Sequence, residues 1–236
     1  MFERCEIHRL GVIPYEEAWR LQETFAAQIG RGERLPSLLL LQHPHTYTFG
    51  RRGRVENLLW DEAELIRRGV KVHWVDRGGD VTYHGPGQLV GYPLLPLAPG
   101  GLVTELLGGV ARLPQADFIG YLRKLEQVLV ETLRKLGVES CQVEGLTGVW
   151  VQDQTAGRLA KIAAIGVKVD AKGISRHGFA LNVDPDMAYW EGIIGCGLKE
   201  HPVTSLTGLL DPVPDMDKVV DVVMEAFREI FACNFV

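Results

Sequence analysis

The chain has 236 residues, of which 46% are hydrophobic and 23% are charged, a composition typical of a soluble globular protein. Its formal net charge of -5 disfavours a nucleic-acid coat protein or a polybasic membrane binder. The N-terminal segment is charged from Glu3 onward, unlike a secretory signal, and no apolar run has the length of a membrane span. The four cysteines are scattered without C-x-x-C spacing, which argues against a structural zinc site and a disulfide framework. These features predict a cytoplasmic protein with reduced thiols.

The first half of the chain is predicted to alternate strands with helices. Pro14 suits the first turn of a helix, and apolar residues recur at helical spacing from there to Gly30. A shorter helix is predicted at residues 60–69, where a glycine ends it. Apolar runs and alternating patterns predict strands at residues 5–13, 37–43, 70–76 and 88–95. The first of these is interpreted as an edge strand.

The second half contains the clearest helix and a predicted meander of strands. Residues 116–137 carry a continuous apolar stripe that ends at Gly137. The turns TAG and AKG join three probable strands as hairpins, which implies antiparallel pairing. The chain then predicts a helix at 216–231 with Asp215 as its N-cap. The three strands are predicted at residues 148–153, 158–170 and 173–183. With no repeat and no linker, residues 1–236 are expected to form one domain.

Cys196 is the cysteine whose setting is most unusual. Cysteines are often buried and act as small hydrophobes, and Cys5, Cys141 and Cys233 are interpreted in that way. Cys196 instead lies between two glycines in the irregular segment IIGCGLKEH. Flanking glycines leave a sulfur unshielded and allow backbone N–H groups to approach an oxyanion. A nucleophilic role therefore stands beside the structural one, although a free thiol near pKa 8.5 is only about 3% thiolate at neutral pH.

Lys161 is a lysine within a strand that is otherwise apolar. It shares strand parity with Ala163 and Ile165, and its immediate neighbours Ala160 and Ile162 are apolar as well. A strand of this kind is covered on both faces, so the ammonium either points into the protein or extends along the strand towards water. Contact with Cys196 would stabilise a thiolate and give the lysine a partner. By contrast, Lys168 near the turn is interpreted as a surface lysine.

The stretch RGGDVTYHGPGQLVGYP, residues 77–93, holds five glycines and one histidine. It matches neither G-x-G-x-x-G nor G-x-x-x-x-G-K-[ST], and a strand rather than a helix follows it. Its glycines therefore suggest a backbone packed closely against another segment or a slender ligand. His84 is either catalytic or structural, and Arg77 either binds a carboxylate or braces the turn. The segment GRRGRVENL, residues 50–58, is either a solvated loop or a site for an acidic partner.

Four blocks of the sequence together resemble one known family. These blocks are RGGDVTYHGPGQLVGYP, KIAAIGVKV, ISRHGFALNV and CGLKEHPVTSL, and in sequence, order and spacing they are similar to the lipoyl(octanoyl) transferases. The resemblance spans about residues 36–206. One departure is Gly195, where that family is expected to have proline before the cysteine. The resemblance implies an α+β (α/β) fold like that of biotin and lipoate protein ligases. Such a fold has a mixed, largely antiparallel β-sheet flanked by helices, with a small second sheet.

The resemblance also implies an activity and a set of site residues. The family transfers an octanoyl group from octanoyl-acyl carrier protein to a lysine of a lipoyl domain, as the first step of endogenous lipoate synthesis. Its thioester cysteine and helper lysine correspond to Cys196 and Lys161. Its acyl-pocket segments correspond to Arg77, Gly78, Gly79, Asp80, Val81, Thr82, Tyr83 and His84, to Ala164, Ile165 and Gly166, and to Gly178, Phe179 and Ala180.

The expected partners follow from the same resemblance. They are an octanoyl-acyl carrier protein as donor, and lipoyl domains of 2-oxoacid dehydrogenase complexes and the glycine cleavage H protein as acceptors, without a nucleic acid or membrane. The activated thioester requires no cofactor and no metal. Because such partners are acidic, a basic docking face is predicted, comprising Arg51, Arg52, Arg54, Arg67, Arg68 and Lys71. The alternatives are an ATP-dependent lipoate or biotin-type protein ligase, a non-catalytic acyl-binding module and a thioesterase.

Overall fold

The computed structural model describes residues 2–97, 105–107, 110–112, 117–153, 157–195 and 201–236. The described helices are α1 (Tyr15–Ile29), α2 (Glu62–Arg67), α3 (Phe118–Lys135) and α4 (Met216–Phe231). The first described strands are β1 (Arg4–Val12), β2 (Ser37–Gln42), β3 (Thr46–Phe49), β4 (Lys71–Trp74), β5 (Val81–His84), β6 (Gln88–Leu94), β7 (Glu105–Leu107) and β8 (Val110–Arg112). They are followed by β9 (Cys141–Val143), β10 (Leu146–Asp153), β11 (Arg158–Val169), β12 (Ser175–Asn182) and β13 (Asn234–Phe235). Within these residues, no helix combines the length and apolar character needed to cross a membrane.

Eight strands form the main sheet, in the order β13-β1-β2-β6-β12-β11-β10-β9. The pairs β13–β1 and β1–β2 are parallel, and every other pair in the order is antiparallel. The predicted meander of β10, β11 and β12 is therefore confirmed. The prediction of an edge strand at the N-terminus is wrong, because β13 pairs outside β1 at Arg4 and Cys5.

The core lies on both faces of this sheet. Leu38 and Leu40 of β2 pack into one apolar cluster with α3 and α4, whereas Leu39 and Leu41 pack into a second cluster with α1. Successive side chains of a strand point to opposite faces, so a strand covered on both sides needs a continuous apolar run. This explains the sequence SLLLLQ.

The ends of α3 and α4 are set by capping residues that can be recognised in the sequence. The Asp215 carboxylate accepts a hydrogen bond from the backbone N–H of Lys218 at 2.7 Å, which confirms the predicted N-cap of α4. The helix α3 is capped in the same way by Asp117, and the chain leaves α3 through Gly137 with φ of +84°. These helices are therefore specified by their own residues.

A small sheet of three strands stands beside the main sheet, in the order β4-β3-β5. The pair β3–β4 is parallel and the pair β3–β5 is antiparallel. The sequence analysis predicted β4 but neither β3 nor β5, and β5 lies inside the glycine-rich stretch. Tyr47, Phe49, Val81 and Tyr83 fill the core of this small sheet, while Thr48, Thr82 and His84 lie on its other face. The small sheet thus carries residues of the candidate site.

Candidate active site

Lys161 lies in β11 and is only 8% exposed. Its Nζ lies 4.7 Å from the centre of the Trp150 ring, which is a cation–π contact. Its backbone N–H donates to the carbonyl of Pro202 at 2.8 Å, and its carbonyl accepts from the N–H of Thr204 at 3.0 Å. Among the residues that the structure describes, no carboxylate forms an ion pair with Lys161. The structure therefore confirms that this ammonium is buried, and it is uncompensated by a carboxylate in the described residues.

Trp150 is a site residue that the sequence analysis missed. It pairs directly with Lys161 in the β10–β11 ladder. Antiparallel pairs have a constant sum of residue numbers, so Asp153 opposite Arg158 already implies Trp150 opposite Lys161. The predicted hairpin turn therefore contained the signal that would have found this contact.

Cys196 lies outside the described residues, as do residues 197–200. Residues on either side of that segment, Gly195 and His201, line a small cavity together with Lys161. The chain before it is held by the N–H of Ile194, which donates to the carbonyl of Asn57 at 2.8 Å. The chain after it is held to Lys161 through Pro202. Cys196 follows Gly195, a residue that lines this cavity, directly in the sequence.

A larger groove of about 740 Å³ is lined by Arg52 and Arg54 among others. Lys161 lines both this groove and the small cavity. Of the predicted pocket residues, Gly78, Gly79, Asp80, Ile165 and Gly166 line the groove, whereas Thr82 and Ala164 line the small cavity. Leu122, Leu146 and Thr147, which the sequence analysis did not single out, also line the groove.

Arg77 stabilises the loop that contains Gly78 and Gly79 through hydrogen bonds. The Arg77 guanidinium is buried, and it donates to the Thr48 hydroxyl at 2.9 Å and to the Gly78 carbonyl at 2.9 Å. The N–H of Gly78 donates to the carbonyl of Val167 at 3.0 Å, so the loop lies directly against β11. A Cβ at Gly166 would lie 3.0 Å from the Gly78 carbonyl oxygen. Gly166 therefore permits this close approach, and Arg77 acts as the predicted brace.

Asp76 attaches the same loop to the β11–β12 hairpin. Its Oδ1 accepts from His177 Nε2 at 2.7 Å and its Oδ2 accepts from Arg176 Nη2 at 2.7 Å, with Lys168 Nζ as a third donor. Burial alone would raise the pKa of Asp76, but the bonds from His177 and Lys168 outweigh it and hold the pKa well below its usual range. The Lys168 side chain is partly exposed, and its ion pair with this carboxylate is a contact that the interpretation as a surface lysine did not include.

His84 is not among the described residues that line either cavity. Its Nδ1 lies 2.8 Å from Gln88 Oε1, and its Nε2 faces the Thr48 hydroxyl at 3.4 Å. Complete burial, with His43 nearby, lowers the pKa of His84 well below its usual value, so the ring is neutral. The structural interpretation of His84 is therefore the one that its contacts support.

Several other predicted pocket residues lie in the interior of the two sheets. Val81 and Tyr83 belong to the core of the small sheet. Gly178, Phe179 and Ala180 lie in β12 between β11 and β6, and all three are buried. A Cβ at Gly178 would lie 2.1 Å from the Gly91 carbonyl oxygen, so this glycine permits strand packing. These five residues line neither cavity in the described part of the chain.

The predicted docking face divides into two groups. Arg67 of α2 and Arg68, the residue that follows the helix, both bind Glu64, and Arg68 also lies 4.2 Å over the Trp60 ring. Arg51, Arg52 and Arg54 are less constrained: their residues are exposed or partly exposed, and none forms an ion pair within the described residues. Arg52 and Arg54, which also line the groove, and the exposed Lys71 therefore carry positive charge that no ion pair compensates within the described residues.

Comparison with known proteins gives a consistent assignment. The family model described as "Lipoyl protein ligase A/B catalytic domain" matches residues 14–228. The chain belongs to this family. A protein named "Octanoyltransferase" from Chloroflexus aurantiacus is 42% identical over 226 residues, covering 96% of this chain and 93% of the relative. Another of the same name from Solibacter usitatus is 42% identical over 231 residues, covering 98% and 93%.

Solved structures show the same fold at low sequence identity. A bipartite lipoate protein ligase from Thermoplasma acidophilum superposes with a TM-score of 0.71 at 18% identity, covering 100% of this chain and 86% of that chain. A lipoate-protein ligase A bound with ATP gives a TM-score of 0.69 at 18% identity, covering 100% and 88%. These findings confirm the predicted family, the predicted mixed fold with a small second sheet, and the prediction of an acyltransferase.

Proposed function

We propose that this chain transfers an octanoyl group from octanoyl-acyl carrier protein to the target lysine of a lipoyl domain, through a thioester on Cys196. The observation that carries the proposal is the position of Lys161, which is buried without a carboxylate partner among the described residues and shares its cavity with Gly195, the residue bonded to Cys196. The curated relatives named octanoyltransferase support the choice of acyl group. Lipoyl domains of 2-oxoacid dehydrogenase complexes and the glycine cleavage H protein are the expected acceptors, and the reaction would begin lipoate synthesis in the cytoplasm.

The first half-reaction forms the acyl-enzyme. Lys161 stabilises the Cys196 thiolate, whose sulfur attacks the carbonyl carbon of the carrier thioester. The resulting tetrahedral intermediate collapses, the bond to the carrier sulfur breaks, and the Lys161 ammonium donates a proton to the departing thiolate. This leaves an octanoyl thioester on Cys196 and a neutral lysine.

The second half-reaction transfers the acyl group to the acceptor. The lysine amine of the lipoyl domain attacks the Cys196 thioester, and neutral Lys161 accepts the proton that this nitrogen loses. Collapse of the intermediate forms the amide and restores the Cys196 thiolate beside the Lys161 ammonium. The donor arrives already activated as a thioester, so the proposed cycle consumes neither ATP nor a metal cofactor.

The intermediate is testable by intact-protein mass spectrometry. We expect the wild-type chain, mixed with octanoyl-acyl carrier protein and no acceptor, to gain the mass of one octanoyl group. The Cys196→Ala variant should gain none and should lose transfer to a lipoyl domain. Cys141 is free and exposed, so Cys141→Ser is the matched control and should retain both the adduct and the transfer.

The alternatives give different results in the same experiment. Full amide transfer by Cys196→Ala would contradict the thioester proposal. Transfer of free octanoate that depends on ATP would favour a protein ligase, and release of octanoate to water despite an available lipoyl domain would favour a thioesterase. Stoichiometric binding of octanoate without turnover would favour a non-catalytic acyl-binding module.

A further inference from the structure

The small cavity beside Lys161 is sized for one atom rather than for an acyl chain. Its free volume is about 10 Å³, close to the minimum that holds a single water-sized group. The adjoining groove is far larger, at about 740 Å³. Lys161 lines both, so a thioester whose chain occupies the groove can place a single oxygen in the small cavity.

The walls of this cavity contain polar atoms that have no partner. Thr82 Oγ1, Trp150 Nε1 and Trp190 Nε1 are buried and make no hydrogen bond within the described residues. An indole N–H only donates, and a threonine hydroxyl both donates and accepts. Buried polar groups are nearly always hydrogen-bonded, so an unpartnered group that faces the cavity indicates a ligand that accepts hydrogen bonds.

Of the three unpartnered groups, the Thr82 hydroxyl has the most clearly defined position. It is 6% exposed, and its short side chain belongs to a cavity wall formed by β5. The edge of Trp190 nearest Gly195 is the six-membered ring, because a Cβ at Gly195 would lie 3.0 Å from Cζ3, and the N–H is on the other edge. Trp150 presents its ring face to the Lys161 ammonium. Thr82 is therefore the donor to which we assign the oxygen.

The neighbours of Thr82 on the same face of the small sheet are already occupied. His84 lies two residues further along β5, and it is bound by Gln88 with its other nitrogen facing Thr48. Thr48, directly opposite Thr82 in the ladder, accepts from Arg77. In this row of polar side chains, the Thr82 hydroxyl is left free to meet a ligand.

We propose that the Thr82 hydroxyl donates a hydrogen bond to the acyl carbonyl oxygen seated in the small cavity. When the carbonyl carbon is attacked, its electron pair moves to that oxygen, and the hydrogen bond strengthens as negative charge develops. The charge lies beside the Lys161 ammonium, which stabilises it further. Thr82 is thus a catalytic residue that touches a reacting atom. This inference rests on the proposed function.

The test pairs Thr82→Val, which removes only the hydroxyl, with Thr82→Ser, which retains it. Steady-state kinetics would use a small octanoyl thioester and a lipoyl domain. We expect Thr82→Val to lower kcat about tenfold to a hundredfold, somewhat less than a full oxyanion-hole donor, with KM within about twofold of wild type. Thr82→Ser should recover most of the lost kcat. Because the deleted hydroxyl has no partner, the Tm of Thr82→Val should equal or exceed that of the wild type.

Thr132→Val is the matched control. Thr132 is buried in α3 and is not among the described residues that line either cavity, and its hydroxyl donates to the carbonyl of Val128 at 2.7 Å. Its removal should lower Tm by about 2–4 °C and leave kcat unchanged. The two variants should therefore show opposite signatures, loss of rate without loss of Tm and loss of Tm without loss of rate.

The possible failures are distinguishable. If the wild type transfers no octanoyl group, the proposed function itself is wrong. If the wild type is active and Thr82→Val has the same kcat, the assignment of Thr82 is overturned while the transfer reaction stands. A fall in Tm that accompanies the loss of kcat, without recovery in Thr82→Ser, would assign Thr82 a structural role and also overturn the inference.

Discussion

Replacement of Asp76 by asparagine tests whether one carboxylate holds the groove loop against the β11–β12 hairpin. Asp76 accepts hydrogen bonds from His177, Arg176 and Lys168, all of which belong to that hairpin. Asparagine keeps the size of the side chain and one acceptor oxygen, but it removes the charge. The cationic side chains of Arg176 and Lys168 then lose their shared anion.

The cost of Asp76→Asn can be worked from these contacts. Removing one partner of a buried ion pair costs about 3–5 kcal/mol. The Asp76 side chain is 30% exposed, and Arg176 keeps a second contact with Glu23 at 3.2 Å, so the cost is reduced. We expect a loss of about 2 kcal/mol in the free energy of unfolding, which corresponds to a fall of about 4–8 °C in Tm.

The pKa of Asp76 determines how the stability difference between wild type and Asp76→Asn changes with pH. The pKa of Asp76 is lower in the folded chain than the unfolded value of about 3.9. Its stabilisation is therefore fully present above about pH 4 and is lost as the pH falls through the folded pKa. The difference between wild type and Asp76→Asn should be constant from pH 6 to pH 8 and should narrow below about pH 4.

Urea unfolding followed by tryptophan fluorescence measures this difference, since the chain has 5 tryptophans. The control is Glu23→Gln, which removes the other carboxylate on Arg176 but leaves Asp76 in place. Because the Glu23 side chain is 54% exposed, this variant should stay within about 0.5 kcal/mol of wild type. The reasoning is refuted if Asp76→Asn matches the wild type at pH 7, or if both variants lose the same free energy.

Two further predictions concern docking and pH. Reversing the charge of both Arg52 and Arg54 should raise KM for the octanoyl carrier about fivefold and leave KM for a small octanoyl thioester within about twofold of wild type. The control Arg134→Glu, on the exposed side of α3, should change neither KM. Equal effects on both donors would contradict the docking assignment. Burial lowers the pKa of His43 to about 4 despite its hydrogen bond to the carbonyl of Ile13. The contribution of neutral His43 to the free energy of unfolding is therefore fully present above about pH 6.5 and is lost as the pH falls towards 4. Between pH 7 and pH 5 the wild type should lose about 2 kcal/mol more than His43→Gln in urea unfolding, and equal losses would show that His43 is not responsible.

The long helices and the buried strand β2 were predictable because their signals are local. The N-cap Asp215 and the glycine after α3 mark helix ends within a few residues, and the run of leucines in β2 reports burial on two faces. The strands β3 and β5 have four residues each, too few to establish a period, and they pair with segments far apart in the chain. Long-range pairing, and not local preference, specifies the small sheet.

Some features of the candidate site could likewise be predicted from the sequence and others could not. The burial of Lys161 could be predicted, because the apolar neighbours on its own strand imply cover on both faces. The ion pair of Lys168 could not be predicted, because its carboxylate partner Asp76 is 92 residues away in the chain, between β4 and β5. Gly178 shows the converse limit, since a glycine that permits strand packing and one that lines a ligand groove look alike in sequence.

The polar clusters around Asp76 and around Lys161 differ in a way that supports the proposed site. Around Asp76, three donors meet one carboxylate and Arg176 also binds Glu23, so the charges are paired within the chain. The described wall of the small cavity supplies the Lys161 ammonium and the unpartnered Thr82 hydroxyl but no carboxylate. Such an excess of donors lowers stability in the free protein and is complemented by an anion or a carbonyl oxygen. A thiolate and a thioester oxyanion are both such acceptors, and both are required by acyl transfer from a thioester.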